Sequence, residues 1–288
     1  PNPVGRYEAG MVLPQSLRPL LALVAIGMLT ACTGGSTSES SRVTLRGEES
    51  SGGDSADEAR TAYEEALSEF RDGDCIQAEP LFTTIRGQYR FSRFAALAEL
   101  RIADCKFETK AYAEAIAGYR EFVRFRPSHV EVVYARYRIA ESYYAQIPSD
   151  WFLVPPSWER DQGATRDALS QLRRFILDFP EDQRVPEARR MEQRCLALMA
   201  EHELYVAEFY RSRRAYRATI ARVQTLLATY HGSGVEPRAL LLLGRTFLDT
   251  EEPARARQAF EELVASFPES AQAAEARGEL SDLPAAAQ

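Results

Sequence analysis

Small and aromatic positions recur along this chain with a period of 37 residues. Ala66, Phe70, Gly73, Ala78 and Phe82 reappear as Ala103, Phe107, Lys110, Ala115 and Tyr119, and the first two reappear again as Ala140 and Tyr144. A later series pairs Ala207, Tyr210, Thr219 and Val223 with Gly244, Phe247, Ala256 and Phe260 at the same spacing. Self-similarity at such a period predicts stacked two-helix units, because a single helical hairpin cannot bury its apolar face alone. The small residues fall where the two helices of a hairpin cross, and larger side chains there would force the helices apart. Phe82 and Tyr119 then fill the space toward the next unit. Pro127, Pro180 and Pro268, each after an aromatic, end second helices. Arg90 and His231 stand where the other two units would carry that proline.

The order of small residue, aromatic, turn, small residue, large apolar and proline resembles the tetratricopeptide repeat. The fold class expected is all-α, a superhelix of about five such hairpins spanning residues 57–282. Four units separate their two small residues by 12 positions, but Ala140 and Ala168 of the third lie 28 apart. The extra residues form an insertion, Ile147–Gly163, whose three prolines forbid a continuing helix. It carries both tryptophans of the chain, Trp151 and Trp158. Insertions in repeat proteins are loops on one face and often bind partners, so both are candidate partner-loop residues. Packing back onto the third hairpin is the competing reading, favoured for Trp151, with exposure favoured for Trp158. Between Arg184 and Arg213 no strong breaker follows Pro186, which predicts one long helix. Its apolar stripe would be Met191, Cys195, Leu198, Met199, His202, Tyr205, Val206 and Phe209.

Ahead of the repeats, Arg18 precedes the apolar run Leu20–Met28, which is too short to span a bilayer. The run ends in Leu29-Thr30-Ala31-Cys32 and looks like a bacterial lipoprotein signal. That resemblance implies cleavage before Cys32, lipid on its sulfur and its new amine, and attachment to a membrane without a transmembrane helix. An uncleaved anchor, or an ordinary signal that happens to contain a cysteine, is the competing reading. Residues 1–31 are then the signal, with 1–10 upstream of a start at Met11. Residues 33–56 are Ser, Gly, Thr and Glu with little to bury, so 32–56 reads as lipid anchor and flexible tether. Residues 283–288 read as a short tail.

Without the leader the chain has 33 basic and 41 acidic residues, a balance of −8. It lacks the clustered positive charge that nucleic-acid binding needs. Cys75, Cys105 and Cys195 remain beside Cys32. Cys75 falls at the turn of the first hairpin and Cys105 late in the first helix of the second. A Cys75–Cys105 disulfide is therefore geometrically possible in an oxidising compartment, with Cys195 a buried thiol. His129, His202 and His231 are scattered, and Val206 occupies the place of the second histidine in a zinc-binding His-Glu-x-x-His. No phosphate loop, nucleophile elbow or metal-ligand cluster is present, so neither catalysis, a metal nor a cofactor is expected.

The run Ala200–Tyr210, followed by Arg213, Ala215-Tyr216 and Ala221-Arg222-Val223, resembles the fourth-repeat region of the BamD family of outer-membrane lipoproteins. Arg160-Asp161-Gln162, leading toward Ala168, matches that family's loop into the second helix of its third repeat. The resemblance covers about residues 57–270. It implies a scaffold of the β-barrel assembly machine, lipid-anchored on the periplasmic face of the outer membrane. Its partners would be BamA, other assembly components and the C-terminal segments of unfolded barrel proteins. Arg222, in an Ala-Arg-Val that matches the family's Asn-Arg-Val, becomes a candidate BamA contact, with a structural ion pair as the competing reading. Phe70, Phe107 and Tyr144, with Tyr63, Leu100 and Tyr137 seven residues before them, would form a ladder suited to a peptide ending in an aromatic. Packing between hairpins is the alternative for each of the six. Other lipidated repeat proteins, a secretin pilotin or a division coordinator, remain the alternative identity; a lytic enzyme would need a catalytic domain for which no residues are left.

Overall fold

A computed structural model describes residues 51–149 and 155–283. The regular structure among them is helical: α1 (Ser51–Arg71), α2 (Cys75–Gln88), α3 (Arg93–Glu108), α4 (Tyr112–Phe125), α5 (Val132–Ala145), α6 (Gly163–Asp178), α7 (Val185–Ser212), α8 (Tyr216–Thr229), α9 (Glu236–Asp249), α10 (Pro253–Ser266) and α11 (Ala271–Asp282). They pair as five antiparallel hairpins, α1–α2 to α9–α10, each packed on the next. First helices also touch one another, α1 on α3, α5 on α7, α7 on α9 and α9 on α11. The first helices therefore make one layer of the superhelix and the second helices the other. Helix α1 begins at Ser51, six residues inside the stretch assigned to the tether. Cys32 lies outside the described residues, and no helix among those described is long and apolar enough to cross a membrane.

The small positions explain the close crossings. Ala66, Ala78, Ala103, Ala115, Ala140, Ala168, Ala207, Thr219 and Ala256 are all sealed from solvent. At Gly244 the approach is tightest, since a Cβ there would lie 2.2 Å from the Phe260 ring. The turns inside four hairpins share one geometry. Gly73, Lys110, Arg214 and Glu251 each take a left-handed φ of +83°, +63°, +57° and +60°. The residue after each returns its N–H to a carbonyl of the helix just ended: Asp74 to Glu69 at 3.0 Å, Ala111 to Lys106 at 2.8 Å, Ala215 to Tyr210 at 2.9 Å and Glu252 to Phe247 at 2.8 Å. This satisfies helix-end carbonyls in the manner of a Schellman cap. Pro127, Pro180 and Pro268 each follow the last residues of α4, α6 and α10. Where His231 replaces proline, Gly232 and Gly234 turn the chain with φ of +73° and +83°.

Two features depart from the reading of the sequence. The buried positions of α7 switch stripe midway: Met191, Cys195 and Leu198 are buried in its first half, but Ala200, Leu204 and Ala207 in its second. Tyr205 and Phe209, expected in the core, are 38 % and 50 % exposed. The helix changes partner along its length, packing first on α6 and then on α8, and one unbroken stripe cannot serve both directions. Helix α11 is an unpaired eleventh helix. It covers the last hairpin through Ala273 and Ala276, and Arg245 of α9 holds it through Glu275 at 2.8 Å and Glu279 at 3.0 Å.

A candidate peptide-binding face on the first helices

The six ladder residues divide into two rows with different fates. Leu100 is fully enclosed, and Tyr63 and Tyr137 are buried. Tyr63 packs between the rings of Phe82 at 5.7 Å and Phe94 at 5.6 Å, and Tyr137 packs edge-on to Phe175 at 5.5 Å. Burial, with Glu141 close by, raises the Tyr137 phenol to about 12. The expectation that these three line a groove is corrected: seven residues is two helical turns, but that side of each first helix is already packed, against Phe82 and Phe94 at Tyr63 and against Phe175 at Tyr137. Phe70, Phe107 and Tyr144 are half-buried.

Around the half-buried row stand side chains that the repeat pattern did not single out. The Arg101 guanidinium lies 5.9 Å from the Phe70 ring and 5.4 Å from that of Tyr134. Arg138, 37 positions on, stacks on Phe107 at 3.8 Å. Both arginines converge on Asp104, which is 1 % exposed: Arg101 at 2.8 Å and Arg138 at 3.4 Å. The Tyr134 hydroxyl donates to Asp104 at 2.7 Å, and the Tyr119 hydroxyl donates to the same carboxylate oxygen. Burial first, and then the Asp104 charge, push both phenols well above their ordinary range. Tyr119 and Tyr134 therefore stay protonated donors, and a buried carboxylate needs such donors. Glu108 and Glu141 balance the outer side of Arg138 at 3.5 and 2.9 Å. The cluster is close to neutral, so it offers planar stacking surfaces and fixed hydrogen-bond groups rather than a strong field. One sequence signal was available for it, an aspartate between the core residues Ala103 and Cys105.

The insertion lies against α7 where it is described. A short 3-10 turn, Ser157–Glu159, packs on that helix, and the Trp158 carbonyl lies 2.6 Å from His202 Nδ1. Gln162 is buried and its amide donates to the carbonyls of Ser157 at 2.7 Å and Arg160 at 2.9 Å. Trp158 is half-buried rather than freely exposed. It borders a cavity of about 280 Å³ with Leu198, Glu201, Tyr205, Val235 and Arg238. Trp151 lies outside the described residues. On the layer of second helices, Arg222 of α8 is exposed and pairs with Glu203 of α7 at 2.9 Å. That hydrogen bond and charge raise its already high pKa. Cys75, Cys105 and Cys195 are buried free thiols, so no bond joins Cys75 to Cys105 in this structure.

Residues 55–248 match the model of a family described as outer membrane lipoprotein, YfiO, and residues 241–284 match a tetratricopeptide repeat. The outer membrane protein assembly factor BamD of Neisseria meningitidis serogroup B is 24 % identical over 72 % of this chain and 79 % of its own length. BamD of Caulobacter vibrioides is 24 % identical over 80 % of this chain and 70 % of its own. BamD of Vibrio cholerae is 25 % identical over 58 % and 70 %. Among solved structures, MamA from Desulfovibrio magneticus is 13 % identical over 73 % of this chain and 94 % of its own, with a TM-score of 0.34, a likeness too slight to argue from. The family model alone spans more than half of the sequence, and the chain belongs to the YfiO/BamD family of outer membrane lipoproteins.

Proposed function

We propose that this protein is a non-enzymatic scaffold for assembling β-barrel proteins into the outer membrane, held at the periplasmic face by lipid on Cys32. The observation that carries the reading is the match of residues 55–248, which runs through four hairpins and into the fifth, to a family whose curated members are assembly factors. The C-terminal hairpins dock on BamA, with Arg222 at the contact. Arg222 suits that role because its pair with Glu203 fixes the guanidinium while leaving 44 % of the side chain exposed. The N-terminal hairpins receive the C-terminal segment of an unfolded barrel protein, whose terminal aromatic stacks among Phe70, Phe107 and their arginines. Aromatic faces paired with guanidinium planes suit such a side chain, and ring stacking adds about 1 kcal/mol beyond area burial.

Binding of a barrel C-terminal peptide to the variant F70A/F107A tests the substrate half of this reading. Both rings are only half-buried, so the variant is expected to keep its helical circular dichroism and cooperative unfolding. Its peptide affinity should fall roughly thirtyfold, the scale of losing an aromatic hot spot worth about 2 kcal/mol. Unchanged affinity, or a loss explained by unfolding, contradicts a peptide site there and returns both residues to packing.

A further inference from the structure

We propose that Cys75 and Cys105 become a disulfide in the exported protein, clipping the first hairpin to the second. Cys75 is the first residue of α2, directly after the hairpin turn, and Cys105 lies in the last turn of α3. These two helices pack on each other, and both cysteines belong to one core cluster with Phe82, Ile85 and Ala98. The Lys106–Glu79 ion pair at 2.8 Å ties the first turns of α2 to the last turn of α3, which brings the two thiols to the same corner of that cluster. Cys195 sits in a different cluster, among Met191, Leu196 and the helices of the C-terminal hairpins, and so is left out of the pair. Neighbouring thiols in an oxidising compartment are substrates for bridging.

The reaction needs an external oxidant, here the disulfide of a thiol–disulfide oxidoreductase. One cysteine thiolate attacks that disulfide, forming a mixed disulfide and releasing one catalyst thiol. The second cysteine then attacks the mixed disulfide, forming the Cys75–Cys105 bond and releasing the other catalyst thiol. Two electrons and the two cysteine protons end on the catalyst, which leaves as a dithiol. The step belongs to folding. Cys75 is 5 % and Cys105 0 % exposed in the folded chain, and burial pushes the Cys105 thiol far up, away from its reactive thiolate. The same burial shields the finished bond from reductant. Its place suits a brace, because α2 and α3 are already joined there by the Lys106–Glu79 pair at 2.8 Å.

The inference rests on the outer-membrane placement, and its readout is a thiol count rather than binding, so either reading can fail without the other. The test is a non-reducing peptide map of the protein purified from the cell envelope and alkylated during denaturation. The expected result is a linked Cys75–Cys105 peptide with Cys195 alkylated. The linked form should survive reductant under native conditions and open only when denaturant is added. Alkylation of Cys75 and Cys105 together, or a bridge from either to Cys195, overturns the proposal.

Discussion

At the scale of the residue, the tolerances of this fold are set by a few side chains. Gly244 is where α9 and α10 touch, and the Phe260 ring that a methyl group would strike is fully buried. A flexible side chain could swing away, but an enclosed ring can only push its neighbours. Gly244→Ala should therefore destabilise the protein by about 1–3 kcal/mol despite alanine's better helix propensity. Thermal unfolding checks this; an unchanged or raised midpoint would mean that the crossing is looser than described. Such contact positions were readable from the sequence because only small residues recur there. Asp104 was not. Its carboxylate serves Arg101, Arg138, Tyr119 and Tyr134, which lie on three helices, and a convergence of that kind has no period. Leu100, placed on a groove by its spacing from Phe107, is instead sealed in the core, since spacing along one helix says nothing about its neighbours.

At the scale of the element, the hairpin turns carry a testable strain. Three of the four left-handed turn residues are Lys110, Arg214 and Glu251, where glycine would be freer, and only Gly73 avoids the cost. Glu251 is exposed, so Glu251→Gly should stabilise by about 0.5–1 kcal/mol, the usual gain where a side chain is held at positive φ. A denaturant titration showing loss of stability would mean that the charged side chain contributes more than the strain. The turns, the proline stops and the long helix α7 were legible from the pattern. The stripe of α7 was legible only as far as its first partner, because Tyr205 and Phe209 continue the spacing but not the packing. Helix α11 offered no repeat to compare with; its alanines gain meaning only once α9 and α10 present a face to cover.

At the scale of the whole molecule, the hairpins form two layers that present different side chains. The first helices hold the half-buried rings and their arginines, whereas α8 on the other layer offers Arg222 from a fixed ion pair. A scaffold that holds substrate on one surface and a machine component on another fits this division. The family membership was legible from a short signature around α7 and α8, while the surfaces are products of packing between units. The most direct measurement of the central claim is recovery of partners from native membranes in mild detergent, with mass spectrometry, using the full chain and a charge-reversed Arg222→Glu form. The account predicts that BamA copurifies with the full chain and is strongly reduced with the variant, whose helical content is unchanged. Recovery of a secretin, or no BamA with the full chain, would contradict it.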